Sequence, residues 1–407
     1  MKALLSTYDK TGLVDLADKL ASSGYSLVST GGTAAELERA GLVVQEVSEL
    51  TGFPEMLGGR VKTLHPAVHG GILARRDDPD HSAELKQLKI GMIDIVVGNL
   101  YPFTETISRQ NVSVDEALEN IDIGGPTMIR SAAKNFPSVL VVVDAHDYGW
   151  IGERLASGGG AMSITLDERR ALARKAFQHV ALYDTVVSRY LGAEATETSW
   201  EELTVGLTRV QDLRYGENPH QQATLYASSL ASGGIVGAKR LHGLEMSFVN
   251  ILDADAAWGT VSDFADNAVV VVKHTNPCGL AVHPDQPTAY QRAFGGDSVS
   301  AYGGIVGFNR PVTAATADAM RPVLFDIIVA PSFEPEALEI LKRRRRTRIL
   351  EAEMATGPLC SLDIRTVSGG ALVQTIDSID EDPTSWEVAT EKKPTDSELR
   401  DLKFAWK

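Results

Sequence analysis

The sequence predicts an α/β fold, with a mostly parallel sheet in the first half of the chain and a second α/β domain after it. Three observations lead there. Short apolar runs alternate with amphipathic stretches over the first 150 residues, which is the βαβ pattern. A second series of such runs, at 268–272, 305–308 and 327–329, alternates with helical stretches further on. The 407 residues suit two or three domains at roughly 100 to 200 residues each.

In order, 3–6 (Ala-Leu-Leu-Ser) reads as a strand, 11–23 as a helix and 25–29 as a second strand. Gly31-Gly32-Thr33 reads as a turn opening a helix over 34–40. Strands follow at 93–98 and 139–143, each an apolar run of buried-strand length. Beyond the glycine-rich 157–160, a 3.6-residue period of Leu172, Ala176, Val180, Tyr183, Val187 and Tyr190 predicts a helix over 166–191. The Ala/Thr/Glu-rich 192–202 reads as a linker, so the domains are set at 1–198 and 199–407. A helix is expected over 335–341, with the basic run 342–346 and Arg348 as its solvated end. Thr395-Asp396-Ser397-Glu398 is a capping box, and it starts a last helix with Leu399, Leu402 and Trp406 apolar.

Composition narrows the function classes. Hydrophobic residues are 43% and charged residues 23%, as in a folded globular protein, and no apolar run is long enough to cross a bilayer. A net charge of −15 argues against nucleic acid as a partner, so anionic ligands would need locally placed cations. Two cysteines, Cys278 and Cys360, are too few for a disulfide scaffold. Asp9 and Lys10 interrupt any signal-peptide core, so a cytoplasmic protein without membrane contact is expected.

Several loops could carry chemistry. Ser29–Thr33, between a strand and a helix, offers backbone amides and hydroxyls that suit a phosphate, or serves simply as a tight turn. Gly58–Pro66 concentrates Arg60, Lys62 and Thr63 in a glycine-flanked loop. His65 and His69 could suggest a metal, but Pro66 between them and the lack of a third ligand argue against it. Asn99–Phe103 follows a strand and Asp122–Pro126 precedes a helix that ends near Lys134. Loops after parallel strands gather at one sheet edge, so Lys62, Tyr101, Asp122 and Lys134 could meet there to polarise a carbonyl and move a proton. In the second half, Leu213–Gln221 packs arginine, tyrosine, amide and imidazole into a turn. Lys273 and His274 run straight out of the 268–272 strand into a Pro/Gly turn, and Cys278 reads as a small buried thiol.

These motifs resemble a known family. Ser6-x-x-Asp9-Lys10-Thr11-Gly12, Ser29–Thr33, Glu49–Met56, Gly59–Pro66, Asn99–Phe103 and Ile121–Gly125 are similar to the bifunctional purine-biosynthesis family that joins AICAR formyltransferase to IMP cyclohydrolase. Leu213–Gln221 and Lys273–Gly279 resemble its formyltransferase half. The resemblance implies a methylglyoxal-synthase-like parallel-sheet domain that closes the ring of formyl-AICAR to IMP without a cofactor. Lys62, Tyr101, Asp122 and Lys134 would be catalytic, with Tyr101 or Asp122 as the base. Ser6, Lys10, Thr30, Gly31, Gly32, Thr33, Arg60, Thr63, Asn99, Gly124 and Gly125 would contact substrate, and Tyr8 stands where some relatives have serine.

For the second domain the resemblance implies a cytidine-deaminase-like fold and 10-formyltetrahydrofolate as co-substrate. His274 would be the base beside Lys273, and Arg214, Tyr215, His220, Asn250, Gly303 and Asp326 would bind AICAR. The family also implies a homodimer. Family segments that follow a helix like 394–407 do not occur in this sequence. The expectation is therefore a complete cyclohydrolase site and an incomplete transferase site, unless a separate C-terminal fragment supplies the rest. The competing expectation is a non-catalytic nucleotide-binding or scaffold subunit of a split enzyme.

Overall fold

A computed structural model describes residues 1–101, 103–109, 112–192, 201–357, 362–377 and 385–407. Pro102, Cys360 and the boundary expected near Thr198 lie outside these residues. The chain divides into two compact units, Met1–Gly206 and Leu207–Lys407.

The first unit runs β1 (Lys2–Ser6), α1 (Leu13–Ser22), β2 (Ser26–Ser29), α2 (Gly31–Arg39), β3 (Val44–Glu46), α3 (Val47–Thr51), α4 (Pro66–Leu73), α5 (Pro79–Gln87) and β4 (Ile95–Gly98). It continues with α6 (Phe103–Ile107), α7 (Val114–Glu119), α8 (Gly124–Lys134), β5 (Leu140–Val142), α9 (Tyr148–Arg154) and α10 (Leu166–Leu191). The five strands are parallel in the order β3-β2-β1-β4-β5. The chain order reverses between β1 and β4, and ligands of open α/β sheets bind in the crevice outside the strand ends at such a point.

Strand alternation builds the core. Ala3, Leu5, Leu27, Ile95, Val97, Leu140 and Val142 share one buried cluster with Leu13, Leu16, Ala17 and Leu20 of α1 and Tyr148 and Ile151 of α9. The opposite face is covered by α8 and α10. Two local expectations shift. The predicted turn 31–33 is the first turn of α2, which Gly31 enters at φ +47°. The predicted 11–23 helix starts at Leu13, after Gly12 at φ +69°. Glycine adopts both conformations without the Cβ clash other residues meet.

The second unit runs β6 (Leu207–Leu213), β7 (Ala223–Ser228), β8 (Lys239–His242), α11 (Phe248–Ser262), β9 (Ala268–Lys273), β10 (Asn276–Val282), α12 (Gln286–Gly296) and β11 (Ile305–Phe308). It continues with α13 (Ala314–Ala319), β12 (Ile327–Ala330), α14 (Pro335–Leu341), β13 (Arg348–Glu351), β14 (Leu362–Val367), β15 (Gly370–Thr375) and α15 (Asp396–Trp406). Its mixed six-stranded sheet has the order β10-β9-β11-β12-β13-β8. Val269 and Val271 pack toward α12, α13 and α14, while Val270 and Val272 pack toward α11. A strand buried on both faces needs an unbroken apolar run, and each of these valines stabilises the fold by about 1.5–3 kcal/mol.

Two readings are corrected here. The Pro/Gly stretch after His274 is the edge strand β10, where Pro277 forfeits a hydrogen bond that a central strand would need. The turn is the two residues His274 and Thr275. Arg348 does not belong to the solvated end of α14; it opens β13 and donates from Nε and Nη2 to the Glu245 carbonyl at 2.9 and 2.8 Å. The capping box of α15 forms as expected, with Thr395 Oγ1 accepting from the Glu398 amide. Among the described residues no helix is long and apolar enough to cross a membrane.

Candidate active site

The C-terminal edge of the first sheet opens into a cavity of about 770 Å³ at the β1/β4 switch point. That is room for a nucleotide-sized ligand. Its lining includes Ser6, Lys10, Thr30, Gly32, Thr33, Arg60, Lys62, Thr63, Asn99, Tyr101, Asp122, Gly124 and Gly125. Gly31 adjoins it, since a Cβ there would stand 3.3 Å from Lys62 Nζ. Five loops separated by up to 119 positions thus deliver their side chains to one crevice.

One side of the crevice suits an anion. Thr30 precedes α2 with no side-chain hydrogen bond, so among the described residues the Gly31 and Gly32 amides are left for a ligand, and the helix dipole adds positive potential. Lys62 stands at this end, beside Gly31, and Lys10 and Arg60 line the same crevice. Lys62 pairs only loosely with Glu55, at 3.8 Å. Arg60 is held in an ion pair with Glu119, so it must exchange partners to meet a phosphate. Thr33 bridges loops, its Oγ1 accepting from the Thr7 amide at 3.1 Å and donating to the Thr7 carbonyl at 2.9 Å.

The other side carries Tyr101 and Asp122. Tyr101 is half exposed and lies against Tyr8, ring centroids 5.0 Å apart, so the two phenols form an aromatic wall. Asp122 accepts a 2.8 Å hydrogen bond from the Gly125 amide. Burial pushes its carboxyl pKa above the usual range, only partly opposed by the Gly125 and Gly124 amides and by Lys62. A carboxylate whose charge is poorly solvated is a better proton acceptor than an ordinary aspartate.

The glycines after Asp122 are steric requirements. A Cβ on Gly124 would meet Thr63 Oγ1 at 2.5 Å. One on Gly125 would overlap Asp122 Oδ2 and stand 2.8 Å from Leu100 Cδ2. Gly125→Ala must therefore displace the Asp122 carboxylate and the Leu100 side chain next to Tyr101. Turnover at this site is expected to fall about 10²-fold, because misplacements near 1 Å have that effect, with the melting temperature as the control.

One expected contact is corrected. Lys134 ends α8 about 15 Å from Gly124 at 1.5 Å per helical residue. It lines a separate depression with Arg130, Phe136, Arg170, Arg174 and Phe177. Asn99 lines the crevice, but its side chain clamps the turn after β1. Its Oδ1 accepts from the Tyr8 and Asp9 amides at 2.6 and 3.0 Å, and its Nδ2 donates to the Asp9 carbonyl at 2.9 Å. Sequence reasoning missed Thr7, whose buried Oγ1 has no hydrogen-bond partner among the described residues and which lines the cavity. His65 and His69 are engaged locally, with the Ala67 amide and with Ser131 Oγ.

In the second unit, His274 (φ +51°) and Thr275 (φ +62°) form the β9–β10 turn in the left-handed region. Non-glycine residues there cost roughly 1–2 kcal/mol each. Buried Asp253 holds the turn by accepting from the Thr275 amide at 2.7 Å, and Asn276 Nδ2 donates to the His274 carbonyl at 2.8 Å. Lys273 Nζ donates to the Tyr302 carbonyl at 3.1 Å, which brings it beside Gly303. Asn250 shares α11 with Asp253 and closes that helix's capping box. Burial pushes the Arg348 guanidinium pKa down, and Asp326, Arg214, Arg240 and Tyr215 lie within electrostatic reach of it. His220 is exposed, and no hydrogen bond or ion pair among the described residues joins it to Lys273 or His274. Asp253 and Arg348 were missed by sequence reasoning. Burial pushes the Cys278 thiol pKa up, which suits a packing role.

The fold of the first unit defines a parallel-sheet α/β domain of the methylglyoxal-synthase-like class, followed by a second α/β unit. Residues 12–127 match the MGS-like domain model and 132–407 match the AICARFT/IMPCHase bienzyme model. The chain belongs to the family of the bifunctional purine biosynthesis protein PurH. It is 47% identical to the Dictyostelium discoideum purH protein, over 100% of this chain and 81% of that protein. It is also 47% identical to PurH of Bacillus cereus strain G9842, over 100% of this chain and 79% of that protein. The crystal structure of ForH is 38% identical and covers 47% of this chain and 99% of that one, with a TM-score of 0.43. Proteins of this family combine AICAR formyltransferase and IMP cyclohydrolase in purine biosynthesis.

Proposed function

We propose that the first unit is the cyclohydrolase, closing the pyrimidine ring onto the imidazole of formyl-AICAR to give IMP. The observation that carries this reading is the single crevice shared by Lys62, Tyr101, Asp122 and the uncapped start of α2. The carboxamide nitrogen attacks the formyl carbon and loses a proton, the carbonyl oxygen gains one, and the resulting carbinolamine loses water. An amide nitrogen is a weak nucleophile, so holding it against the carbonyl supplies much of the rate. Lys62 stabilises the developing oxyanion. Asp122 is the base, because its burial favours taking up a proton, and Tyr101 orients the base edge of the substrate. The α2 amides, Lys10, Arg60 and Thr63 hold the ribose phosphate. No cofactor enters this step. The purified chain is expected to convert formyl-AICAR to IMP without folate; a folded chain with no such turnover would overturn the reading.

For the second unit the proposal is formyl transfer from 10-formyltetrahydrofolate to AICAR. His274 takes the amine proton as it attacks, beside Lys273. Support comes from the strained turn that holds His274 out from the sheet edge, with Asp253 fixing it. His274→Ala is expected to lower AICAR formylation by about 10²-fold or more. Ring closure by the same variant should be unchanged, measured in a folate-free assay of IMP formation. Equal formylation by the variant and the parent would remove His274 from the role. The working form proposed with this reading is a cytosolic homodimer acting on ribonucleotides.

A further inference from the structure

Helix α10 carries Lys175, His179 and Tyr183 at intervals of four, so the three side chains lie in a row along one face. Each reaches a different loop at the C-terminal sheet edge. Lys175 Nζ bridges Asp144 and Asp147 after β5, at 2.5 and 2.7 Å. His179 Nε2 accepts from the Leu100 amide at 3.4 Å, next to Tyr101. Tyr183 OH accepts from the Asp122 amide at 2.7 Å and is 8% exposed. Phe103, two residues past Tyr101, packs edge-on against the rings of Tyr183 and Tyr190, with centroids 6.3 and 5.4 Å away.

Asp122 is therefore gripped at two points, its carboxylate by the Gly125 amide and its own amide by Tyr183. The Tyr101 loop is gripped by His179 on one side and by the Phe103 ring on the other. Neither His179 nor Tyr183 lines the cavity. We infer that His179 and Tyr183 are positioning residues for ring closure, with α10 setting the distance between the loops that carry Tyr101 and Asp122. This inference rests on the proposed role of Asp122.

The test compares Tyr183→Phe, His179→Leu, His179→Gln and Asp122→Asn in folate-free IMP formation, with melting temperatures recorded for all four. Phenylalanine keeps the ring and removes the hydroxyl, which accepts from the Asp122 amide and donates to the Asn120 carbonyl at 3.5 Å. Glutamine keeps an acceptor for the Leu100 amide, whereas leucine does not. Tyr183→Phe and His179→Leu are expected to lower kcat about tenfold while KM stays within about twofold, and His179→Gln to recover most of the loss. Parental kcat in Tyr183→Phe and His179→Leu, with Asp122→Asn inactive, would overturn the positioning role alone. Equal losses in His179→Gln and His179→Leu that follow their melting temperatures would also overturn it, by assigning the helix a purely structural part. Parental turnover in Asp122→Asn would instead overturn the reading of the site itself.

Discussion

Lys62→Ala is expected to lower folate-free conversion of formyl-AICAR to IMP by about 10²–10³-fold. That is the range seen when one preorganised group facing a developing oxyanion is removed. The ammonium stands against the first turn of α2 and within electrostatic reach of Asp122, so it serves the anion end and the reacting end of the crevice together. Loss of folding does not compete as an explanation. The Lys62 side chain is 35% exposed and its partner Glu55 is 59% exposed at 3.8 Å, and such a pair stabilises a protein by about 0–1 kcal/mol. The variant should melt within a few degrees of the parent while turning over far more slowly. Arginine at the same place should restore little, because its planar fork spreads the charge over a wider group than the space beside Gly31 receives.

Asp122→Asn is expected to cost about 10²–10⁴-fold in the same assay, the usual range for a positioned general base. The amide keeps an oxygen for the Gly125 N–H, so the local geometry is retained while the proton acceptor is lost. Stability should move the other way. Burial raises the folded-state pKa of this carboxyl above its unfolded value. The stabilisation that goes with that shift is present below the unfolded pKa and is lost as the pH rises through the folded one. At neutral pH the ionised carboxylate is therefore a cost to the fold, and Asp122→Asn should melt above the parent there. The difference should vanish as the pH falls toward the ordinary aspartate range. The parent's kcat/KM should likewise begin its acidic decline at a higher pH than an unperturbed aspartate would give. Tyr101→Phe, at a half-exposed phenol, is expected to cost less than Asp122→Asn.

The parts of this fold that sequence could reveal are those whose cause is local. The run 268–272 is continuous because β9 is buried on both faces, and the period through Leu172, Ala176 and Val180 marks the face of α10 that enters the core. The crevice was legible for a related reason: loops after parallel strands emerge at one edge, so Lys62, Tyr101 and Asp122 could be expected together. Lys134 failed that reasoning because a helix intervenes. Its proximity in sequence to Asp122 becomes a separation of about three helical turns.

Tyr183 was counted among the apolar residues of α10 because its ring does face the core, while the hydroxyl's partner is a main-chain amide 61 positions away. His179 is hidden in the same way, by an amide 79 positions away. Nothing at either end of those contacts leaves a pattern in the residue types. The His274 turn was misread because His-Thr lacks the glycine or asparagine that normally marks a two-residue hairpin turn. What holds it is Asp253, which lies 22 positions earlier on a helix.

The central claim is that the β1/β4 crevice of the first unit binds the purine nucleotide, with its reacting edge on Lys62 and Asp122. A crystal structure of this chain with IMP tests it most directly. The account predicts the phosphate on the leading amides of α2 near Lys10, and the pyrimidine ring of the base within hydrogen-bond reach of Lys62 and Asp122. IMP bound elsewhere, or bound in this crevice with that ring turned away from both residues, would contradict it.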